Sequence, residues 1–163
     1  FVNDEKILIL SWEEKKAPDY VLPEGITIRL MTEGDLPEVS RVDADAFAPL
    51  WQNQQSMLEQ AYSHAVFSTV ALLEDEIVGY QISTQSPFGA HLARLAVHST
   101  AQRRGIASAL IGHLLTELLA KDITQVSVNT QSKNKRSIAL YKKNGFVCTE
   151  EEYPLYSFQI AGN

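Results

Sequence analysis

The most constraining feature of this sequence is a long, strongly periodic apolar stretch that directly follows a predicted strand. Residues 91–97 form an apolar run typical of a strand, and a loop of few residues separates it from the stretch. The apolar positions then recur at the three- and four-residue spacing of a helix: Ile106, Leu110, Ile111, Leu114, Leu115, Leu118 and Leu119. The pattern predicts a helix from about Gly105 to Lys121 that packs back onto a sheet, which is the basic unit of an α/β layer fold.

The rest of the chain supplies further strands and helices for such layers. A first helix follows Thr32 and Asp35, which resemble a capping box, and Asn134 is suited to cap a short helix that ends before Gly145. A second helix is predicted near 56–65, and an acidic turn at 74–76 joins two apolar runs as a hairpin. Strands are also predicted at 7–10, 26–31, 125–131, 146–149 and 155–160. Together these elements predict an α/β fold with a mixed sheet.

Composition sets limits on what the chain does. Its 163 residues are 45% apolar, which predicts one ordered core. The formal charge of −6 argues against nucleic acid as a partner, because such binding relies on clustered cations. We find no apolar run long enough to cross a membrane and no signal-peptide pattern, so we expect a cytoplasmic protein.

Histidine and cysteine, which often act as metal ligands, indicate no metal site in this sequence. The histidines lack metal-motif spacing, so no metal is expected. We predict that the lone cysteine, Cys148, is a buried thiol on a strand. Residues 1–25 are interpreted as a strand and a linker, and they fit either this sheet or the end of a preceding domain. Residues 26–163 are interpreted as the functional domain.

The loop before the long helix has the properties of an anion site. A helix N-terminus presents free backbone N–H groups at the positive end of the helix dipole. Gly105 permits close approach, Ala107 and Ser108 keep the first turn open, and Arg103 and Arg104 add cationic donors. From these residues alone, a phosphate site and an ordinary helix start with solvated arginines are equally good interpretations.

Two separated motifs favour the phosphate site. Gln102, Gly105 and Ala107 match the acyl-CoA signature Gln/Arg-x-x-Gly-x-Gly/Ala, and a second block comprises Asn134 and residues 137–146. With these motifs the chain resembles the GNAT superfamily of N-acetyltransferases, and residues 138–146 are similar to its ribosomal-protein alanine N-acetyltransferase branch. The resemblance implies a mixed, mostly antiparallel central sheet with helices on both faces. It also implies acetyl-CoA as co-substrate and a primary amine as acceptor.

The resemblance assigns roles to individual residues. Backbone groups of Leu95, Ala96 and Val97 are expected to pair with the pantetheine arm, and Asn134 to hold that arm farther along. Tyr141, two helical turns after Asn134, is expected to protonate the departing thiolate. The segment implied to bind the pyrophosphate consists of Arg103, Arg104, Gly105, Ile106, Ala107 and Ser108, and Gln102 of the signature is also expected to bind the cofactor.

The sequence departs from the family pattern at the position of the general base. The branch carries a Glu on the strand before the second motif, and Asn129 stands at that position. Counting back from the loop, His91 occupies the position of a Glu in the histone-acetylating branch, so His91 is the candidate base. Without a carboxylate base, we expect an acceptor of low pKa, such as a peptide N-terminal α-amine or a small amine. The acceptor cleft is predicted at residues 47–55.

Alternatives remain open at this point. A non-catalytic acyl-CoA-binding module of a larger two-domain protein also fits the sequence, and so does either a homodimer or a tandem-domain arrangement. A hydrolase or nucleotide-binding enzyme lacks support, because we find neither a Gly-x-Ser-x-Gly elbow nor a phosphate-loop Lys-Ser/Thr pair.

Overall fold

A computed structural model describes residues 5–47 and 55–154 of the chain. Seven strands and four helices account for most of these residues. The strands are β1 (Lys6–Trp12), β2 (Ile26–Leu30), β3 (Ala65–Leu73), β4 (Glu76–Ser86), β5 (Gly89–Val97), β6 (Val126–Gln131) and β7 (Val147–Pro154). The helices are α1 (Leu36–Ala46), α2 (Gln55–Ser63), α3 (Ile106–Ala120) and α4 (Lys135–Lys143).

The strands form one seven-stranded sheet in the order β2-β3-β4-β5-β6-β1-β7. Within the described residues, the β5–β6 pair is parallel and the other pairs are antiparallel. The sheet is therefore mixed and mostly antiparallel, as predicted. The parallel pair arises because α3 carries the chain back over the sheet between β5 and β6.

Helices cover both faces of this sheet. Leu36, Val39 and Val42 of α1 pack with Leu58 of α2 on one face, against Tyr80 and neighbouring strand residues. The opposite face is covered by α3, whose Ile111, Leu114, Leu115 and Leu118 are buried among β1, β5 and β6, together with Tyr141 of α4. The leucine periodicity thus predicted α3 to within one residue at each end.

The first strand lies inside the sheet. Its residues pair with β6 on one side, from Ile7 with Gln131 to Trp12 with Val126, and with β7 on the other. The predicted strand 7–10 is longer in the structure because Trp12 is buried in the core shared with α3. The segment after it, residues 13–25, has neither helix nor strand, but Tyr20 packs on Gly112 of α3, where an added Cβ would approach the ring to 2.6 Å.

One prediction is wrong, and two fall outside the described residues. Cys148 lies on a strand but is exposed, because β7 is the outer strand of the sheet. The predicted strand 155–160 and most of the predicted acceptor loop, residues 48–54, lie beyond the described parts of the chain. The acidic turn is confirmed as a tight hairpin connection, with Glu74 and Asp75 both at positive φ.

Candidate functional site

The sheet opens between β5 and β6. In the described residues these strands pair at Ala90, His91 and Leu92 only, so the later part of β5 has no partner on that side. Just past this point the register with β4 shifts: Ser83 pairs with Leu92 and Ile82 with Arg94, which leaves Ala93 as a bulge. Leu95, Ala96 and Val97 follow the bulge and form an open strand edge whose backbone groups can pair with an extended ligand.

The loop that enters α3 is shaped for a bound anion. Arg103 has φ 65° and Gly105 φ 82°, so the chain makes two left-handed steps immediately before the helix. Gly105 is the N-cap, and no side chain caps this helix start. Gln102 donates from its side-chain amide to the Val97 carbonyl at 3.0 Å, which ties the loop to the end of β5. The N-terminal N–H groups of α3 therefore face the end of the open strand edge.

A cavity of about 600 Å³ joins the strand edge, the loop and α4. It contains most of the residues that the sequence predicted as cofactor-binding. Those that line it are Leu95, Ala96, Val97, Gln102, Arg103, Gly105, Ile106, Ala107, Ser108 and Asn134, together with Tyr141. Arg104 and His91 are not among the lining residues.

Helix α4 forms the far wall of this cavity. Asn134 caps the helix, its side-chain oxygen accepting from the Ser137 N–H at 3.1 Å, as the sequence predicted. Asn144 at the other end donates to Ser108 Oγ at 3.3 Å and so links α4 to the first turn of α3. The two motifs, 26 or more residues apart in sequence, are thereby held on one cavity.

Tyr141 is buried beside Phe146, with the two ring centroids 5.6 Å apart. Burial raises the pKa of Tyr141 to about 12. Its phenol is therefore protonated throughout the neutral range, so it is able to donate a proton or a hydrogen bond into the cavity.

The cavity crosses the sheet. Ala46 and Phe47, at the end of α1, line it from one face, whereas Tyr141 and its neighbours on α4 line it from the other. The passage exists because β5 and β6 separate after Leu92. One ligand entering along α3 and another entering beside α1 would consequently meet at the strand edge.

His91 lies on the α1 side of the sheet. It pairs with Ser127 across the parallel strands, and its Nδ1 is 2.8 Å from Ser127 Oγ. Burial lowers the pKa of His91, so the ring is neutral at pH 7. The tautomer that donates from Nδ1 to Ser127 leaves Nε2 as a proton acceptor. Asn129, two residues beyond Ser127 on β6, lies on this same face.

A buried charge cluster on the α1 side was missed by the sequence analysis. Asp43 is fully buried and accepts from Arg94 Nε at 2.8 Å and from the Tyr80 hydroxyl. The Arg94 guanidinium lies 3.9 Å from the centre of the Phe47 ring. A signal existed: Asp43 falls on the apolar stripe of α1, and a carboxylate there requires a cationic partner.

Metal chemistry and membrane insertion find no structural support in the described part of the chain. Residues 5–47 and 55–154 contain no group of three or more His, Cys, Asp or Glu side chains arranged to hold a metal ion. Over the same residues, no helix combines the length and the apolar character needed to cross a bilayer.

Comparison with known proteins identifies the class. Residues 35–146 match the acetyltransferase (GNAT) family, and the chain belongs to this family. The resemblance drawn from the two motifs is confirmed. The protein is accordingly an acyltransferase with acetyl-CoA as its co-substrate, and the non-catalytic alternative is not favoured.

Individual relatives are similar at low identity. The [ribosomal protein bS18]-alanine N-acetyltransferase of Salmonella typhimurium is 27% identical over 120 residues, 74% of this chain and 80% of that protein. The solved Escherichia coli ribosomal-protein-S18-alanine N-acetyltransferase has a TM-score of 0.70 at 23% identity, covering 75% of this chain and 77% of that one. A GCN5-related N-acetyltransferase from Sphaerobacter thermophilus has a TM-score of 0.78 at 19% identity over 91% of this chain. The present chain spans only 50% of that last protein.

The residues present fit the co-substrate. The open edge of β5 offers backbone donors and acceptors to the amide-bearing arm of acetyl-CoA, and the left-handed loop before α3 offers N–H groups to its phosphates. The cavity is large enough for part of such a molecule and apolar around Ile106 and Leu140. A PaiA N-acetyltransferase from Thermoplasma acidophilum, solved in complex with coenzyme A, shares this fold with a TM-score of 0.70 at 15% identity, over 80% of this chain and 99% of that one.

Proposed function

We propose that this acetyltransferase transfers the acetyl group to the α-amine of a peptide or protein N-terminus, or to a small amine of similarly low pKa. The observation that carries the proposal is the cavity that crosses the sheet between β5 and β6. It gives the donor an approach from α3 and α4 and leaves the α1 side for the amine. Both substrates then react without a covalent enzyme intermediate.

The donor half of the site is proposed to work through the backbone. Leu95, Ala96 and Val97 hold the pantetheine arm as an added strand, and residues 102–108 hold the pyrophosphate. Gln102 contributes indirectly, since its amide donates to the Val97 carbonyl and fixes the loop. Asn134 accepts from Ser137 with its oxygen, which leaves its NH₂ group to donate toward the arm.

The chemical step is a direct acyl transfer. The amine nitrogen attacks the thioester carbonyl carbon, so a C–N bond forms while the C–S bond breaks. Tyr141 donates its proton to the departing sulfur, and its raised pKa keeps that proton in place until the thiolate develops. Because His91 does not line the cavity, the proton lost by the amine goes to His91 Nε2 through an ordered water molecule.

The energetics of the acceptor favour an α-amine. Deprotonating a lysine of pKa about 10.4 at pH near 7.4 costs about 4 kcal/mol, whereas an α-amine of pKa about 8 costs under about 1 kcal/mol. His91 is a weak base whose pKa is lowered further by burial. Such a base suits an amine of which a substantial fraction is already neutral. The similarity of the chain to [ribosomal protein bS18]-alanine N-acetyltransferases supports the same choice.

The remaining parts of the proposal rest on the sequence alone. A cytoplasmic location is part of the proposal, as is either a homodimer or a tandem-domain arrangement.

A thiol-release assay with acetyl-CoA tests the acceptor class. The full chain is offered a peptide with a free N-terminus and no lysine, and a matched peptide whose N-terminus is blocked and which contains one lysine. We expect the free N-terminus to react at least about tenfold faster at pH 7.4. Efficient transfer to lysine with none to the α-amine would contradict the proposal. Tyr141→Phe is the control for turnover at this site.

A further inference from the structure

Phe47 closes the α1 side of the cavity. It directly follows α1 and lines the cavity with Ala46, across from Leu95 and Ala96 of the strand edge. In the proposed reaction the thiol sulfur lies on the Tyr141 side. The acyl chain of a donor points away from its sulfur and consequently toward the face where Phe47 stands.

The Phe47 ring is held in place by Arg94. The guanidinium lies 3.9 Å from the ring centre, a separation at which planar stacking and cation–π attraction both act. Arg94 belongs to β5, one residue before the strand edge. The bulge at Ala93 turns its side chain toward α1, because Arg94 pairs with Ile82, which packs on that face.

Asp43 fixes the orientation of Arg94. Its two carboxylate oxygens accept from Nε at 2.8 Å and from an Nη at 3.3 Å, a two-point contact that sets the plane of the guanidinium. Tyr80 donates to the same carboxylate from within the core. Because Asp43 is fully buried in α1 and Arg94 is in β5, the pair locks the end of the helix to the strand edge.

We propose that Phe47 is a specificity-determining residue that limits the donor to a short acyl chain, and that Arg94 and Asp43 are positioning residues that hold its ring against the strand edge. This inference rests on the proposed placement of the thioester between Tyr141 and β5. In the proposed reaction, the amine acceptor also passes beside Phe47.

The test compares acetyl-, propionyl- and butyryl-CoA as donors, with one amine acceptor, in wild type and three variants. Phe47→Ala removes the wall. Arg94→Lys keeps a cation near Asp43 but lacks the planar, two-point guanidinium that stacks on the ring. Arg29→Lys is the matched control, because Arg29, which lies on β2 and away from the cavity, makes a similar two-point contact with Asp35. Thermal unfolding is followed for each variant.

We expect the ratio of kcat/KM for butyryl-CoA to that for acetyl-CoA to rise about tenfold or more in Phe47→Ala, as one methylene or more of space is released. A rise of roughly threefold is expected in Arg94→Lys, from loss of the stacking attraction. Arg29→Lys should leave the ratio unchanged whatever it does to the unfolding temperature.

An unchanged ratio in Phe47→Ala, with acetyl transfer intact, would overturn the inference while leaving the proposed function standing. A raised ratio in Phe47→Ala but not in folded Arg94→Lys would remove the positioning role of Arg94. If Arg94→Lys does not fold, Asp43→Asn serves in its place, since it removes the charge and leaves one acceptor oxygen where the two-point contact with Arg94 needs two. Absence of acetyl transfer in wild type would instead count against the proposed function.

Discussion

The two sides of the cavity that we propose for the donor and the acceptor are built in different ways. On the donor side, the open edge of β5 and the start of α3 present backbone groups, and the side chains there are small or turned toward holding the loop, as Gln102 is. On the acceptor side, the wall is the side chain of Phe47, and side chains from distant elements support it from behind: Asp43 near the end of α1, Tyr80 from β4 and Arg94 from β5. The backbone side therefore suits a constant ligand, and the side-chain side is free to vary with the acceptor.

This difference predicts which substitutions the protein tolerates on each side. A backbone site depends on local conformation, so most substitutions that keep the left-handed steps at Arg103 and Gly105 preserve it. A side-chain site with a buried ion pair depends on every partner, because removing one leaves an uncompensated charge.

The largest effect is expected at Asp43. Asp43→Ala leaves the Arg94 guanidinium without its buried carboxylate, and breaking such a pair costs about 3–5 kcal/mol of folding free energy. Urea denaturation of the variant measures this cost. A change below about 1 kcal/mol would show that the acceptor wall does not depend on the pair. Asp35→Ala, which breaks the more exposed Arg29 pair, is the comparison variant and should cost less.

The next largest effect, a loss of turnover, is expected on substitution of Tyr141. Tyr141→Phe removes the proton donor but keeps the ring packed on Phe146, so kcat should fall roughly 10²-fold or more. The dissociation constant for coenzyme A, measured by calorimetry, should change little. Unchanged turnover would exclude Tyr141 as the acid.

A matched pair of arginines separates cavity contacts from surface charge. Arg103 lines the cavity and Arg104 does not, although they are adjacent in sequence. Arg103→Ala should weaken coenzyme A binding by about 1–3 kcal/mol, and more strongly at low salt, as expected for charge-assisted contacts. Arg104→Ala should have the smaller effect. The reverse order in calorimetric titrations would move the phosphate contact to Arg104.

The smallest effect is expected at His91, and it depends on pH. Burial lowers the pKa of His91 below 6.5, so the ring gains its proton only at more acidic pH. For catalysis by the neutral ring, kcat/KM should rise with pH through that lowered pKa, and rise again toward about pH 8 as the acceptor amine loses its proton, before it levels off. His91→Gln should remove this acidic limb and lower the plateau about tenfold. An identical pH profile in the variant would exclude His91 as the base.

The same shift has a consequence for stability. Because the unfolded chain binds this proton more readily than the folded protein, the contribution of His91 is present above pH 6.5. It is lost as the pH falls toward the folded-state pKa. Urea denaturation of wild type and His91→Gln across this range should show the difference.

Much of the donor side was predictable from sequence because its signals are local. The apolar spacing that defined α3, the Gly105 start and the Asn134 cap each depend on residues within a few positions of one another. The contribution of individual side chains was less predictable. Arg103 and Arg104 look alike in sequence, and only the left-handed conformation at Arg103 distinguishes the one that reaches the cavity.

The side chains of the acceptor side were largely unpredictable from the sequence. In the sequence, Arg94 is part of an ordinary strand pattern. The bulge at Ala93 turns Arg94 toward α1, and this bulge contains no glycine or proline from which it could be predicted. Cys148 was expected to be buried by residue type, yet the position of β7 as the outer strand decides its exposure.

The sequence by itself determined the order of the strands and helices, the start of α3 and the family to which the chain belongs, because these depend on periodicity and on motifs with fixed spacing. Only the tertiary structure decided that β1 enters between β6 and β7, that β5 and β6 separate after Leu92, and that Asp43, Arg94 and Phe47 meet. The physical reason is that strand pairing and buried ion pairs join residues far apart in the chain. Their energies depend on how the whole sheet closes and not on any local pattern.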